Sequence, residues 1–183
     1  MSGRLFVISG ASGVGKSTVL GTVMKSNPTL RFSVSATTRA PRPGETDGVQ
    51  YYFITKEKFK EMIAQNAFIE YDAHMDNYYG TPTAQLEEKL HCGDVILDIE
   101  PVGAFNVRKV RPDATLIFIA PPSMEELERR LRGRGDTSEE QMELRLKRAR
   151  WEMEQSTAYD YVVINDQVET CAEKILKIIA EKA

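Results

Sequence analysis

The sequence predicts an α/β protein with a central parallel sheet flanked by helices. Four apolar runs are continuous rather than alternating, as is typical of strands covered on both faces. These runs span residues 4–9, 94–99, 115–120 and 161–165. Stretches with helical periodicity lie between and after them, over residues 16–26, 83–91, 124–132, 138–156 and 168–182. Because strands alternate with helices, the α/β class is indicated.

The segment over residues 32–81 follows a different pattern. Its strand-like pieces are short, are separated by turns, and surround one helical stretch near residues 56–65. These pieces span residues 32–37, 49–55, 68–73 and 77–81. We expect this segment to form a small, partly antiparallel insert of mixed α/β structure.

Length and composition narrow the function classes. A chain of 183 residues can bury a full core as one domain with an inserted subdomain. A net charge of -3 argues against a dedicated binder of nucleic acid or of anionic membranes. Cys92 and Cys171 form no CxxC pair, which predicts reduced thiols rather than a disulfide framework or a zinc site. With no membrane span, signal pattern or obligate protein partner evident, we expect a cytoplasmic protein.

A phosphate-binding loop lies between the first strand and the first helix. Residues 10–17, GASGVGKS, match G-x-x-x-x-G-K-[ST] at every fixed position. Its glycines let the backbone turn and direct N–H groups at phosphate oxygens, and the helix N-terminus attracts anions. Lys16 would bridge the terminal phosphates, Ser17 would bind Mg²⁺, and Thr18 would contact the phosphate nearest the nucleoside. The predicted ATP-binding loop comprises Gly10, Ala11, Ser12, Gly13, Val14, Gly15, Lys16, Ser17 and Thr18.

Two acids follow one another at the end of the strand in DVILDIE. Asp98 and Glu100 lie where ligands bind in open α/β sheets, at the carboxyl end of a strand. Residues two apart on a strand face the same side. We expect Asp98 to hold a metal-bound water and Glu100 to accept hydrogen bonds from a second ligand. The alternative is that one of these acids only caps the next helix.

The stretch SVSATTRAPRPGETDGVQYY carries the opposite charge. Arg39 and Arg42 flank a proline, and in a stiff loop two guanidinium groups can converge on one phosphate. Tyr51 and Tyr79 would add phenolic donors to the same phosphate. The cluster predicts a second anion site, whereas a lone surface arginine would only be solvated. Glu45 either orients Arg42 or solvates the turn.

The base of the second ligand is predicted from donors and acceptors. Guanine needs hydrogen-bond donors at O6 and N7, and a carboxylate for its N1–H and 2-amino groups. Ser35 and Thr81 supply hydroxyls, and Glu70 supplies the carboxylate with Glu100 as a possible helper. Adenine lacks both donors that Glu70 would satisfy, so a buried carboxylate would reject it.

With these residues assigned, the sequence resembles guanylate kinases over essentially its whole length. The matching blocks, in the family's order and spacing, are SGASGVGKST, SVSATTRAPRPGETDGVQYYF, FIEYDAHMDNYYGTP, LDIEPVGA, IFIAPPS, RLRGRGDTSEEQMELRL and VIND. The second block is highly specific, whereas the phosphate loop alone is not. The resemblance implies a P-loop NTPase core over residues 1–32, 91–123 and 151–183, a GMP-binding subdomain over 33–90 and a helical lid over 124–150.

The resemblance also implies a role for each site residue. It places one set around guanine, namely Ser35, Glu70, Thr81 and Glu100. It places another around the GMP phosphate, namely Arg39, Arg42, Tyr51 and Tyr79. Arg134 and Arg145 become lid arginines that close on the ATP phosphates, so that with Lys16, Arg39 and Arg42 they form the expected catalytic set. Asn165 falls where the family lines its adenine pocket.

One motif departs from the family pattern. Guanylate kinases usually have aspartate, any residue and glutamine before the Gly-Ala that follows the acidic strand. Here Glu100, Pro101 and Val102 occupy these positions. Glutamate keeps the charge of aspartate but has a longer reach, and valine removes an amide.

The implied activity is phosphoryl transfer from ATP, with Mg²⁺, to GMP and less well to dGMP. A GMP phosphate is already an anionic nucleophile, so no general base is required. We expect closure of the insert and lid to exclude water. Two alternatives stay open at this point. One is a guanylate-kinase-like domain that binds protein partners without catalysis, and the other is a P-loop kinase for another small acceptor.

Overall fold

The computed structural model describes residues 3–74, 76–133 and 138–182. The chain forms two compact units, Met1–Leu5 with Thr29–Ala114 (the first unit) and Phe6–Pro28 with Thr115–Ala183 (the second unit). Parallel strands flanked by helices occur in both units, two of them in the first unit and three in the second. The predicted α/β class is therefore confirmed.

The described elements alternate along the chain. The strands are β1 (Leu5–Gly10), β2 (Arg31–Ser33), β3 (Ala36–Thr37), β4 (Tyr52–Phe53), β5 (Phe68–His74), β6 (Asn77–Pro82), β7 (Val95–Asp98), β8 (Thr115–Ala120) and β9 (Tyr161–Ile164). The helices are α1 (Lys16–Ser26), α2 (Lys56–Ala64), α3 (Thr83–Cys92), α4 (Pro101–Val110), α5 (Met124–Arg132), α6 (Glu139–Gln155) and α7 (Val168–Glu181). A single 3₁₀ turn, Ser156–Ala158, follows α6.

Side-chain caps explain where three helices begin. Thr55, Ser123 and Ser138 precede α2, α5 and α6, and each hydroxyl accepts the main-chain N–H three residues later, at 3.1, 3.2 and 3.4 Å. Such caps satisfy N–H groups that have no partner within the helix. Helix α4 begins instead with Pro101 in its first turn, where the missing N–H costs no hydrogen bond.

In the second unit, β8 is the central strand of three. It pairs in parallel with β1 on one side and with β9 on the other, and all six of its residues are buried. Helices α1 and α7 pack against each other through apolar faces. The apolar runs that form β1 and β8 therefore correspond to strands covered on both faces, as expected. The expectation is wrong for β9, where Val162 and Ile164 are about half exposed because none of the described elements covers that face of the strand.

In the first unit, β2 pairs in parallel with β7, and a separate sheet has the strand order β4-β3-β6-β5. This four-stranded sheet is parallel between β3 and β4 and antiparallel elsewhere. Phe59 of α2 packs on it, with ring centroids 4.3 Å from Phe68 and 5.2 Å from Tyr78. The partly antiparallel insert is confirmed as a local structure.

Two features of the fold differ from the sequence-based prediction. The piece over residues 32–37 was expected to be one strand of the insert, but it is split between β2, in the parallel sheet, and β3. A three-residue strand with one buried position carries no apolar run to detect. Helix α4 is missing from the stretches predicted by helical periodicity, because its PVGAFNVRKV sequence contains a glycine and three valines, which weaken helical propensity.

Two further expectations concern the state of the cysteines and the presence of a membrane-spanning helix. Cys92 is exposed and Cys171 is buried, and both are free thiols. Within residues 3–74, 76–133 and 138–182, no helix has the length and apolar character to span a membrane.

Candidate functional site

The phosphate loop of the second unit connects β1 to α1. Gly13 and Gly15 have φ values of 88° and 92°, which L side chains rarely adopt. A Cβ atom at Gly13 would also lie 2.4 Å from Cδ2 of Leu131 on α5. Gly15 is the N-cap of α1 and offers no side chain to its first turn. The N-terminus of α1 therefore presents main-chain N–H groups to an anion.

The three predicted phosphate and metal ligands occupy the first turn of α1. Lys16 is half-buried at its start, while Ser17 and Thr18 are exposed. An ammonium group and two hydroxyls on a helix N-terminus match the charge and donors of a polyphosphate.

Asn165 links the end of β9 to this loop. Its Nδ2 donates to the carbonyl of Val14 at 2.8 Å, and its main-chain N–H donates to Ala120 at the same distance. The side chain is 2% exposed, and its Oδ1 has no hydrogen-bond partner among the residues described. An acceptor held beside the phosphate loop is suited to the amino group of a base, so the role of Asn165 in an adenine pocket stays a prediction.

The arginines of residues 124–150 fall into two groups. Arg129 and Arg130 both pair with Glu126, and Arg132 pairs with Glu128 and with Glu139 of α6. These ion pairs are local, between side chains three to seven positions apart. The predicted catalytic arginines are Arg145, which is exposed on α6, and Arg134, which lies outside the described residues.

In the first unit, the structure brings three predicted guanine ligands together. Glu70 of β5 and Thr81 of β6 are cross-strand partners, and the Thr81 hydroxyl donates to Glu70 Oε1 at 2.5 Å. The Ser35 hydroxyl lies 3.4 Å from that of Thr81. Glu70 is 7% exposed, and burial raises the pKa of its carboxyl above the ordinary value. A buried carboxylate beside two hydroxyls provides the acceptor and donors that guanine requires.

Helix α4 approaches this carboxylate at Gly103. A Cβ atom at Gly103 would lie 2.7 Å from Glu70 Oε2, so only a glycine leaves room for the carboxylate in its present position. Gly103 is not among the site residues predicted from the sequence. The only sequence signal was a glycine in the first turn of a helix, where it lowers helical propensity and needs a reason.

Three of the predicted phosphate ligands form a neighbouring cluster: Arg39 and Tyr51 of the loop between β3 and β4, and Tyr79 of β6. The Arg39 guanidinium lies 5.5 Å from the centroid of the Tyr51 ring, which is 6.0 Å from that of Tyr79. Tyr79 is two residues from Thr81 on the same strand, so both clusters share one sheet.

Glu45 holds the arginine loop together. Its carboxylate accepts both terminal nitrogens of Arg39, at 2.9 and 3.0 Å, and the main-chain N–H of Arg42 at 2.7 Å. These hydrogen bonds lower the pKa of Glu45 to about 2. Glu45 therefore orients Arg39, while the side chain of Arg42 is exposed and does not share this ion pair.

Asp98 and Glu100 flank the end of β7. Asp98 is its last residue and is partly buried, whereas Glu100 is exposed at the N-cap position of α4. The Glu100 side chain makes no capping hydrogen bond. The sequence-based alternative of a side-chain cap therefore does not account for Glu100, whose predicted contact with guanine stays a prediction.

The close approach of α4 makes Gly103→Ala a selective test. The added methyl group would displace the flexible end of Glu70 rather than the backbone, so we expect normal folding with a KM for GMP raised about tenfold. Steady-state kinetics and thermal denaturation measure the two effects. The matched control is Gly21→Ala on α1, where nothing lies within 4 Å of the new Cβ. If Gly103→Ala left the KM for GMP unchanged, this account of Gly103 would be wrong.

Comparisons with known proteins cover both units. A family model described as guanylate kinase matches residues 2–182. The guanylate kinase of Clostridioides difficile (strain 630) is 48% identical over 181 residues, which cover 98% of this chain and 88% of that protein. A guanylate kinase of Thermus thermophilus is 47% identical over 180 residues, with coverages of 98% and 81%.

A solved structure gives the same result. The crystal structure of guanylate kinase from Anaplasma phagocytophilum matches with a TM-score of 0.81 at 35% identity, and the match covers 99% of this chain and 86% of that one. These matches give no support to a non-catalytic interaction domain or to a kinase for another acceptor.

Proposed function

The chain belongs to the guanylate kinase family, and we propose that it transfers the terminal phosphate of ATP to GMP, forming ADP and GDP. The observation that carries this proposal is the buried Glu70 carboxylate, hydrogen-bonded to Thr81 beside Ser35. Guanine has two N–H donors for such a carboxylate, and adenine has neither. These contacts with guanine do not involve the ribose, so dGMP is proposed as a second acceptor. We propose that it is the slower of the two.

On the donor side, the second unit binds ATP. The loop amides and Lys16 hold the phosphates, and Thr18 contacts the phosphate nearest the nucleoside. Asn165 is proposed to accept a hydrogen bond from adenine. Its buried Oδ1 supports this role, because the described residues offer this atom no hydrogen-bond partner. The division into a core, a GMP-binding subdomain over 33–90 and a lid over 124–150 stays part of this proposal.

On the acceptor side, the first unit binds GMP. Glu70, Ser35, Thr81 and Glu100 are proposed to contact guanine, and the nearby arginines and tyrosines its phosphate. Arg39 is held at two nitrogens by Glu45, so it meets the phosphate with little loss of side-chain freedom. Arg42, whose side chain is exposed, would turn toward the phosphate when GMP binds.

Phosphoryl transfer requires that the two substrates are positioned and that charge is neutralised, rather than that a covalent intermediate forms. The GMP phosphate is itself the nucleophile, so no side chain has to remove a proton. Lys16 and Arg145, with Arg134, are proposed to neutralise the charge that spreads over the transferred phosphoryl group. Water must be excluded during transfer, because it would otherwise accept the phosphoryl group.

A magnesium ion accompanies ATP in this proposal. Mg²⁺ is commonly held by one or two protein oxygens together with substrate phosphates and water. Ser17 supplies an exposed hydroxyl oxygen beside Lys16, and Asp98 is proposed to act through a water molecule. Among residues 3–74, 76–133 and 138–182, no group of three or more histidine, cysteine, aspartate or glutamate side chains could hold a metal ion. When bound, Mg²⁺ neutralises phosphate charge.

Glu70 makes GMP binding sensitive to pH. Only the ionised carboxylate can accept both guanine donors, and burial raises its pKa. As the pH falls through this raised pKa, the KM for GMP should rise, while above it the KM should be constant. The pKa of Glu45, about 2, lies too low to cause this change. Profiles of kcat/KM for GMP against pH test this, and an acid limb at the ordinary glutamate pKa or lower would contradict it.

A panel of acceptors tests the proposed function. Purified protein with ATP and Mg²⁺ is expected to phosphorylate GMP, dGMP less well, and AMP, CMP and UMP scarcely, as measured by ADP release. AMP or UMP turned over as fast as GMP would overturn the base-recognition argument. The cytoplasmic location also remains a proposal, which the two free thiols support.

A further inference from the structure

Glu152 is a buried acid without a role in the proposed function. Among the residues described, two acidic side chains are buried, Glu70 at 7% exposure and Glu152 at 2%. The first belongs to the proposed GMP site. The second lies near the end of α6 in the other unit. Because a buried carboxylate is costly unless it is well paired, its partners indicate what it is for.

Both oxygens of Glu152 are engaged. Oε2 accepts the main-chain N–H of Ser12 at 2.6 Å, and Oε1 accepts Nε of Arg148, one turn earlier on α6, at 3.0 Å. Arg148 balances the negative charge of Glu152 from the same helix. The short hydrogen bond to Ser12 instead joins Glu152 to the phosphate loop.

Ser12 is the third residue of the phosphate loop GASGVGKS. The loop binds phosphate through main-chain N–H groups whose directions must be set before the ligand arrives. Fixing the Ser12 amide restricts the peptide units on both sides of it, next to Gly13 with its left-handed backbone. Glycine-rich loops otherwise lose much conformational freedom on binding.

Helix α6 carries a second group that concerns ATP. Arg145 precedes Glu152 by seven residues, which is two helical turns, so both start from the same side of α6. Helix α6 therefore carries Arg145, which is proposed to neutralise phosphate charge, and is hydrogen-bonded to the phosphate loop through Glu152.

We propose that Glu152 is a positioning residue for ATP: its carboxylate holds the Ser12 amide and thereby sets the phosphate loop in its binding conformation. This inference rests on the proposed function in assigning ATP to the loop, but it makes no use of the GMP site. It predicts that the hydrogen-bond acceptor of Glu152, more than its charge, is needed for ATP affinity.

Calorimetric binding of MgATP and of GMP, measured separately, tests this. Glu152→Ala is expected to weaken MgATP binding about tenfold or more, since it leaves the Ser12 amide without its acceptor. Glu152→Gln keeps an acceptor oxygen and should stay within about threefold of wild type. GMP affinity should not change in either variant. Glu152→Asp, which is shorter by one methylene, should behave like the alanine variant and serves if that variant folds poorly.

Asp160→Ala is the matched control. The Asp160 carboxylate also accepts a main-chain N–H in the second unit, that of Leu116 at 2.8 Å, but Leu116 lies on β8 rather than in the loop. This variant should lose stability and keep its MgATP affinity. Normal MgATP binding by Glu152→Ala, or an equal loss in Asp160→Ala, would overturn the proposal. A wild type that binds MgATP but transfers nothing to GMP would overturn the proposed function alone.

Discussion

Replacing Lys16 with alanine is expected to lower kcat for GMP phosphorylation by at least about 100-fold. The ammonium group at the start of α1 is the proposed partner of the terminal phosphates, where charge develops during transfer. The KM for GMP should stay within about twofold of wild type, because Lys16 serves the ATP phosphates rather than guanine. Steady-state kinetics with both substrates varied measure the two constants.

Lys25→Ala is the matched control for Lys16→Ala. It removes the same charge from the same helix, but from the exposed last turn of α1. We expect only a small loss of stability, because the variant removes a positive charge that interacts favourably with the C-terminal end of the helix dipole. A Lys16→Ala enzyme with near-normal kcat would refute the role given to Lys16, as would an equal loss in Lys25→Ala.

Replacing Glu70 with glutamine is expected to lower kcat/KM for GMP by about 10²- to 10⁴-fold. Glutamine has nearly the same volume, but it presents one donor group toward guanine, where two acceptors are needed. MgATP affinity should not change. Thermal stability should be kept or raised, because burial already disfavours the charged form of Glu70.

Asp72→Asn controls for the loss of an acidic charge on the same strand. Asp72 lies two residues after Glu70 on β5 and is only partly buried. This variant should keep a kcat/KM for GMP close to that of wild type. If Glu70→Gln retained normal GMP use, or if Asp72→Asn lost as much, Glu70 would not be the guanine carboxylate.

Much of the fold could be predicted from the sequence because several of the parallel strands are buried on both faces. Strands such as β8, with six buried residues, leave a continuous apolar run, and helices with serine or threonine caps leave a start signal. The three-residue strand β2 leaves no such run. Helix α4 left no periodic signal because its sequence includes Gly103, which lowers helical propensity and leaves room for the Glu70 carboxylate.

The residues that lie together in the candidate site were predictable where chemistry dictates the residue type. A carboxylate with two hydroxyls for guanine, and a glycine-rich loop for phosphate, follow from hydrogen-bonding rules. Residues that act through other residues are harder to assign, since the sequence offered Arg42 as the partner of Glu45, whereas its carboxylate pairs with Arg39. The roles of Glu45, which orients Arg39, and of Glu152, which holds Ser12, depend on hydrogen bonds across 6 and 140 positions of the chain. Only the fold brings these partners together.

The destination of the phosphate is the most direct test of the central claim. Wild-type protein is incubated with Mg²⁺, ATP labelled in its terminal phosphate, and equal amounts of GMP and AMP, and the labelled products are separated. We expect the label in GDP, with little in ADP made from AMP and little in inorganic phosphate. Label that appeared mainly in inorganic phosphate, or equally in both nucleoside diphosphates, would contradict a guanine-specific phosphotransferase.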